Sequence, residues 1–430
     1  MLVIERNIMP KAVAWTAALL FNVAAFGISM AASSGGGESE QEGLSLVAAV
    51  HLALSLDPLI AHAEALQMGF DARSDAAETL PDPKLKLGVM NISAESFKFD
   101  QEPMTQAVLG VSQAFPPAGL RDAAAKKFSA LADSQSAVVA DRQRTVRQQV
   151  RHAWLELFYQ RQAKVLVMQS EGVFTQLSKI TQYQYRAGRG NQQHVVRAQL
   201  EQSLLRDREI EFEIKREQAR VVLEKWIGSV AGMPDMIFPT MPPTVIPSQK
   251  DEVLSLHPGL QVLTEQMNAA RHGVSMERSR KNPGWMLDVS YGYREAERDD
   301  LFTAMVKLDL PLFTGARQDQ MIASSRALLT AAEQQVKEKR RTLREMLARS
   351  AATYRRTNER MEYFVGTLLP QASQNTEAAL NAYQSGVSDF GIVVRARLTE
   401  LDSRLKYLRL KVDRAKAGAD IAYLVGEPSA

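Results

Sequence analysis

Val195-Val196-Arg197-Ala198-Gln199-Leu200 returns 198 residues later as Val393-Val394-Arg395-Ala396-Arg397-Leu398. Landmarks on either side repeat with nearly the same offset. Ser55-Leu56-x-Pro58 reappears as Ser255-Leu256-x-Pro258, and Pro83, Leu87 and Val89 reappear as Pro283, Leu287 and Val289. Tyr185-x-x-Gly188 matches Tyr383-x-x-Gly386, and Gly228 matches Gly426. Solenoid repeats run at about 20–50 residues, so a period this long marks a duplicated structural unit. The two copies are expected over 44–228 and 251–426. Between them, 229–250 holds Pro234, Pro239, Pro242, Pro243 and Pro247 and reads as a linker.

The chain of 430 residues has 45% hydrophobic and 23% charged residues, the balance of a folded protein with two or three domains. Its 52 basic and 49 acidic residues leave a net charge of +3, so no nucleic-acid partner is expected. The run Lys337-Glu338-Lys339-Arg340-Arg341 has acidic residues on either side and reads as the solvated face of a helix. There is no cysteine, which removes disulfides, thiolate metal sites and a cysteine nucleophile. Arg6 and Lys11 precede an apolar stretch, Ala12 to Phe26, and small residues follow at Ser29-Met30-Ala31. About 15 apolar residues fall short of the roughly 20 that cross a bilayer, so residues 1–31 read as a cleaved export signal.

Each copy carries two stretches of period-two alternation, the mark of a strand with one apolar face. In the second copy Trp285, Leu287, Val289, Tyr291 and Tyr293 alternate with Met286, Asp288, Ser290 and Gly292. Phe302, Ala304, Val306, Leu308 and Leu310 alternate with Thr303, Met305, Lys307 and Asp309. Strands are therefore expected at about 285–293 and 302–310. The first copy has counterparts at about 83–91 and 105–115, with Leu85, Leu87 and Val89, then Ala107, Leu109, Val111 and Phe115. Strands of this length with aromatic ends match those of membrane β-barrels. Four strands cannot close a barrel, and an open sheet leaves unpaired edges, so several chains would have to pool them.

The remainder reads as helix. No proline falls between Gly119 and Arg186, and Val146, Val150, Trp154, Leu157 and Phe158 follow three- and four-residue steps. Helices are expected at 119–186 and 192–228, and again at 315–383 and 390–426. Gly172 and Pro370 stand 198 apart inside the two long helices. Proline kinks a helix, so a break is expected at Pro370 and a milder bend at Gly172. Each long helix ends in a polar turn where Gly188 or Gly386 fits a C-cap and Asn191 or Ser388 fits the next N-cap.

With these features together the chain resembles the TolC-like outer membrane efflux channels. The resemblance covers about residues 44–426. It rests on the duplication, the Tyr-x-x-Gly turns followed by Val-Val-Arg-Ala-x-Leu, Leu369-Pro370-Gln371, and strands ending in Phe115-Pro116 or Leu310-Pro311 before Gly119 or Gly315. It implies a mainly α fold with a small β part. In it, duplicated antiparallel coiled-coil helices and β-hairpins form a trimer with a twelve-stranded outer-membrane barrel continuous with a periplasmic helical tunnel. It also implies partners: outer-membrane lipid, a periplasmic adaptor protein and an inner-membrane pump of the RND type. Arg186, Gly188, Gly190, Gly386 and Ser388 become adaptor-contact candidates at the tips. His194, Asp389, Ile392 and Arg395 become candidates for the entrance constriction. Here the chain departs from the family's aspartate rings, because Ile392 and Arg395 stand where those acids are expected and Asp389 is the nearest carboxylate.

No catalytic pattern emerges. The six histidines are scattered, without zinc-site spacing, and there is no nucleophile elbow, phosphate loop or dinucleotide fingerprint. Neither catalysis nor a cofactor is expected. The leading expectation is a passive exit duct of a tripartite efflux system, with Ser112-Gln113-Ala114-Phe115-Pro116 and Gly119 closest to the heavy-metal cation branch. Drug efflux, type I protein secretion and a pore-less periplasmic scaffold are the alternatives.

Overall fold

The computed structural model describes residues 44–229, 238–239, 244–248, 250–295 and 297–427. The export segment 1–31 and much of the linker 229–250 lie outside the described residues. The same order of elements occurs twice. First come α1 (Leu46–Leu56), α2 (Pro58–Glu78), β1 (Lys84–Met90), β2 (Gln106–Phe115), α3 (Leu120–Arg186) and α4 (Gln192–Ile227). Then follow α5 (Lys250–Ser255), α6 (Pro258–Ser279), β3 (Gly284–Tyr293), β4 (Leu301–Asp309), α7 (Gln318–Tyr363), a π-helical turn (Phe364–Leu368), α8 (Leu369–Gln384) and α9 (Phe390–Val425).

The local chemistry explains the boundaries. Pro58 and Pro258 open α2 and α6 at the position where a missing N–H costs nothing. The residues before them cap the helices. Asp57 Oδ1 accepts from the amides of Leu59 and Ile60, and His257 Nδ1 accepts from the Gly259 amide. With no proline inside it, α3 runs unbroken through Gly172 for 67 residues, about 100 Å at 1.5 Å per residue. Its partner is interrupted. Pro370 offers no N–H to the carbonyl four residues back, and the Leu369 amide bonds instead to the Phe364 carbonyl in π fashion. The interruption thus falls just ahead of the proline, with Phe364 buried beside Met361 and Leu410.

The apolar stripe of α3, including Val146, Val150, Trp154, Leu157 and Phe158, is buried against α1, Leu223 of α4 and Val412 of α9. A second cluster lies toward the helical turns. There Phe174, Leu177, Ala198 and Leu205 meet Phe390, Val393, Val394 and Leu401. No single described helix is long and apolar enough to cross a membrane.

Candidate functional site

The four strands form one antiparallel sheet in the order β1-β2-β3-β4. The observed registers sort its side chains into two faces. One face carries Leu85, Leu87 and Val89 of β1, Leu109, Val111 and Phe115 of β2, Trp285, Val289, Tyr291 and Tyr293 of β3, and Phe302, Val306 and Leu308 of β4. Most of these side chains are exposed. Aromatic residues mark both ends of this face. Phe115 stacks on Trp285 with ring centroids 3.9 Å apart at one end, and Tyr291, Tyr293 and Phe302 stand at the other. Trp285 and Tyr291 are separated by about 20 Å at 3.3 Å per residue.

The opposite face is polar. Lys86 Nζ lies 3.4 Å from Asp288 Oδ1, although β2 runs between their strands. Lys86 pairs with Gly110, and Asp288 with Ser112. Gly110 lets β2 and β3 approach closely beside this pair, since a Cβ at position 110 would stand 2.7 Å from Ser290 Cβ. Among the described residues no cluster of histidine and carboxylate side chains is arranged to hold a metal ion.

At the other end of the molecule the two long helices turn back through the same construction. After α3, the Gly188 amide donates to the Tyr185 carbonyl and the Arg189 amide to the Gln184 carbonyl. After α8, the Gly386 amide donates to Tyr383 and the Val387 amide to Ala382. This is the paired-bond Schellman ending, which needs a left-handed residue; Gly188 and Gly386 have φ of 69° and 75°. Arg186 is exposed in the last turn of α3. Gly190 sits close against Gln184 and Tyr185, where an added Cβ would stand 3.0 Å from the Tyr185 amide nitrogen.

The N-cap expected at Ser388 is instead Asp389, whose Oδ1 accepts from the Gly391 amide at 2.6 Å. The Ser388 amide still bonds to Ala382 and so belongs to the preceding turn. Asn191 caps α4 in the corresponding way, accepting from the Gln193 amide. The offset of 198 already pairs Asn191 with Asp389 and Gly190 with Ser388, so the signal was present.

The fold brings the two turns together. His194 Nε2 lies 2.9 Å from Asp389 Oδ2, and Tyr383 Oη donates to Gln184 Oε1 at 2.6 Å. The Gly391 amide, with His194 and Arg197 behind it, holds the Asp389 carboxyl below the ordinary aspartate range. Farther along, Arg208 pairs with Asp402 at 3.0 Å. Ile392 and Arg395 lie one turn apart on the exposed side of α9, away from buried Val393, Val394 and Ala396. His194 and Asp389 therefore meet, whereas the side chains of Ile392 and Arg395 stand exposed. Gln184 and Arg208 were not singled out from sequence, because nothing local marks a partner almost 200 residues away.

Residues 250–427 match the sequence family described as "Outer membrane efflux protein". No curated protein sequence matches the chain. Among solved structures, VceC of Vibrio cholerae, an outer membrane protein, superposes with a TM-score of 0.76 at 15% identity, covering 89% of this chain and 96% of that one. CusC, described by its transmembrane channel formation, gives 0.78 at 14% identity over 89% and 92%. The outer-membrane channel OprN gives 0.74 at 16% identity over 94% and 96%. At these identities the likeness speaks for the fold.

Proposed function

We propose that this chain, a TolC-like outer membrane efflux protein, is the passive exit duct of a tripartite efflux system. Its second half carries the family's sequence and its described length carries the TolC-like fold. In this reading three copies pool their strands into a twelve-stranded barrel in the outer membrane, and their helices continue it as a tunnel into the periplasm. The observation that carries the reading is the two-faced sheet. An exposed apolar face with aromatic ends suits lipid, and the Lys86–Asp288 face suits a water-filled lumen. The 67-residue α3 supplies the periplasmic reach.

The turns around Gly188 and Gly386 form the periplasmic tips, with Arg186, Gly190 and Ser388 in reach of an adaptor protein. That adaptor links the duct to an RND-type inner-membrane pump, which supplies the energy. The His194–Asp389 and Tyr383–Gln184 bonds tie the tips within one chain and hold the entrance narrow, with Ile392 and Arg395 toward the axis. Heavy-metal cations are the cargo we favour, on the strand-end sequence Ser112 to Pro116. Deleting the gene and testing growth with copper, zinc, cobalt, cadmium and common antibiotics separates the cargos. Sensitivity to metals alone is expected; sensitivity to none of these agents would shift the reading to protein secretion. Ile392→Asp should raise conductance and antibiotic leakage, and unchanged values would remove Ile392 from the constriction.

A further inference from the structure

The sheet ends in two unpaired edges, β1 and β4, and the chain contains a template for joining them. Within one chain the repeats meet along β2 and β3, where Phe115 pairs with Trp285 and Pro116 ends the strand. The corresponding end of β4 is Leu310-Pro311, and the residue corresponding to Trp285 in β1 is Leu85. We infer that β4 of one copy pairs antiparallel with β1 of the next in one register, Leu310 opposite Leu85. Leu308 then lies opposite Leu87, and Val306 opposite Val89. The inference rests on the closed-barrel reading and adds what that reading leaves open, the stagger at the seam between copies.

Two further observations select this register. The first is charge. Among the described residues no ion pair is found for Lys307 or Asp309, which share the polar face with Lys86 and Asp288. In the inferred register Asp309 lies opposite Lys86 of the next copy. Lys307 lies opposite Gly88, much as Lys86 lies opposite Gly110 within the chain. Sliding the strands by two residues one way sets Lys307 directly against Lys86, and like charges in opposite positions are unfavourable. A slide of one residue would turn the apolar face of one strand toward the polar face of the other.

The second observation is closure. Through the three observed ladders Lys84 stands level with Ser112, Asp288 and Met305. In the inferred register Lys84 of the next copy stands level with Pro311, about six residues farther along, or about 18 around three copies. At 3.3 Å per residue and 4.8 Å per strand, that stagger tilts twelve strands by about 45°, within the usual range for barrels. Sliding by two residues the other way raises the tilt to about 54°, outside that range.

The absence of native cysteine makes the seam directly testable. Three double variants are oxidised in outer-membrane vesicles: Leu308→Cys with Leu87→Cys, with Leu85→Cys, and with Val89→Cys. Facing residues at a seam bring Cα atoms within disulfide range, whereas in one chain β1 and β4 are opposite edges of the sheet. The Leu308/Leu87 pair should give a covalently closed trimer on non-reducing gels, at least five-fold more than either other pair. Stronger linking by Leu85→Cys or Val89→Cys would overturn the register while leaving a closed seam. Linking by none of the three, in protein that still fractionates with the outer membrane, would overturn the seam and the barrel with it. If a cysteine on the apolar face prevents assembly, Lys307→Cys with Gly88→Cys asks the same question on the polar face.

Discussion

The repeated segment Val-Val-Arg-Ala-x-Leu occupies two different environments. In α9, Val393 and Val394 are buried, packed with Phe174, Leu177 and Phe390. In α4, the matching Val196 is 55% exposed, and Leu200 and Leu204 beyond it are also bare. Identical side chains therefore do different work according to how many helices surround them. α9 runs against α3, α7 and α8, whereas α4 packs mainly on α3 and has a free side. The repeated order of elements supplies two similar helical hairpins, and a single chain surrounds only the second.

The sharpest way to break this comparison is to charge both copies. Val394→Asp buries an unpaired carboxylate and should cost about 4 kcal/mol or more, seen as loss of folded protein. Val196→Asp should leave the fold intact, with little change in melting temperature. Equal loss of folded protein in both variants would erase the distinction. The long helices give the next largest effect. Gly172→Pro should cost about 3 kcal/mol by imposing on α3 the break that α7 and α8 already contain. Pro370→Ala should slow hydrogen exchange over 364–370 by restoring a bond, with little change in stability.

The helix starts give a third contrast. Burial works against an ionised Asp57, but the bidentate Arg142 contact prevails and holds its carboxyl below the ordinary value of 3.8. Its contribution is present above that value and is lost only as pH falls through the depressed range. His257 occupies the same position in the second copy, fully buried. Burial, then the charges of Arg144 and Lys339, push it from 6.5 to about 4, with the Tyr423 backbone pulling the other way and Asp141 3.9 Å away. A depressed pKa favours the fold above the unfolded value and loses that advantage as pH falls. His257 should therefore withdraw up to about 3 kcal/mol between pH 6.5 and 4. The second copy should yield to acid first. Thermal melts of His257→Asn, which keeps a capping oxygen, should show a flatter profile in that window; a slope like that of the unaltered protein would exclude His257 as its source.

The smallest effect concerns the turns, where the two copies agree. Gly188→Ala and Gly386→Ala each force a side chain into left-handed backbone and should cost about 1 kcal/mol. Similar shifts in melting temperature would confirm that the turns are equivalent. A difference of several-fold would mean that the contacts across them, His194–Asp389 and Tyr383–Gln184, favour one copy.

The alternation in Trp285 to Tyr293 and Phe302 to Leu310 was enough to divide the sheet into its two faces, because a strand's period is set by covalent geometry. Pro370 announced an interruption for the same reason, having no N–H to give. The π-turn itself was not legible, since the carbonyl that Leu369 reaches depends on Phe364 being packed among Met361, Leu368 and Leu410. Ser388 and Asp389 are both competent caps. Asp389 is the cap because α9 starts at Phe390, which puts its carboxylate in reach of the Gly391 amide.

By itself the sequence determined the elements, their polar and apolar sides, and the repeated order of landmarks, all products of spacing along one chain. Only the tertiary structure decided which copy of a repeated segment is buried. Only it brought His194 to Asp389 and Lys86 across β2 to Asp288. Those outcomes depend on residues roughly 200 positions apart meeting in space, and local periodicity carries no record of such meetings.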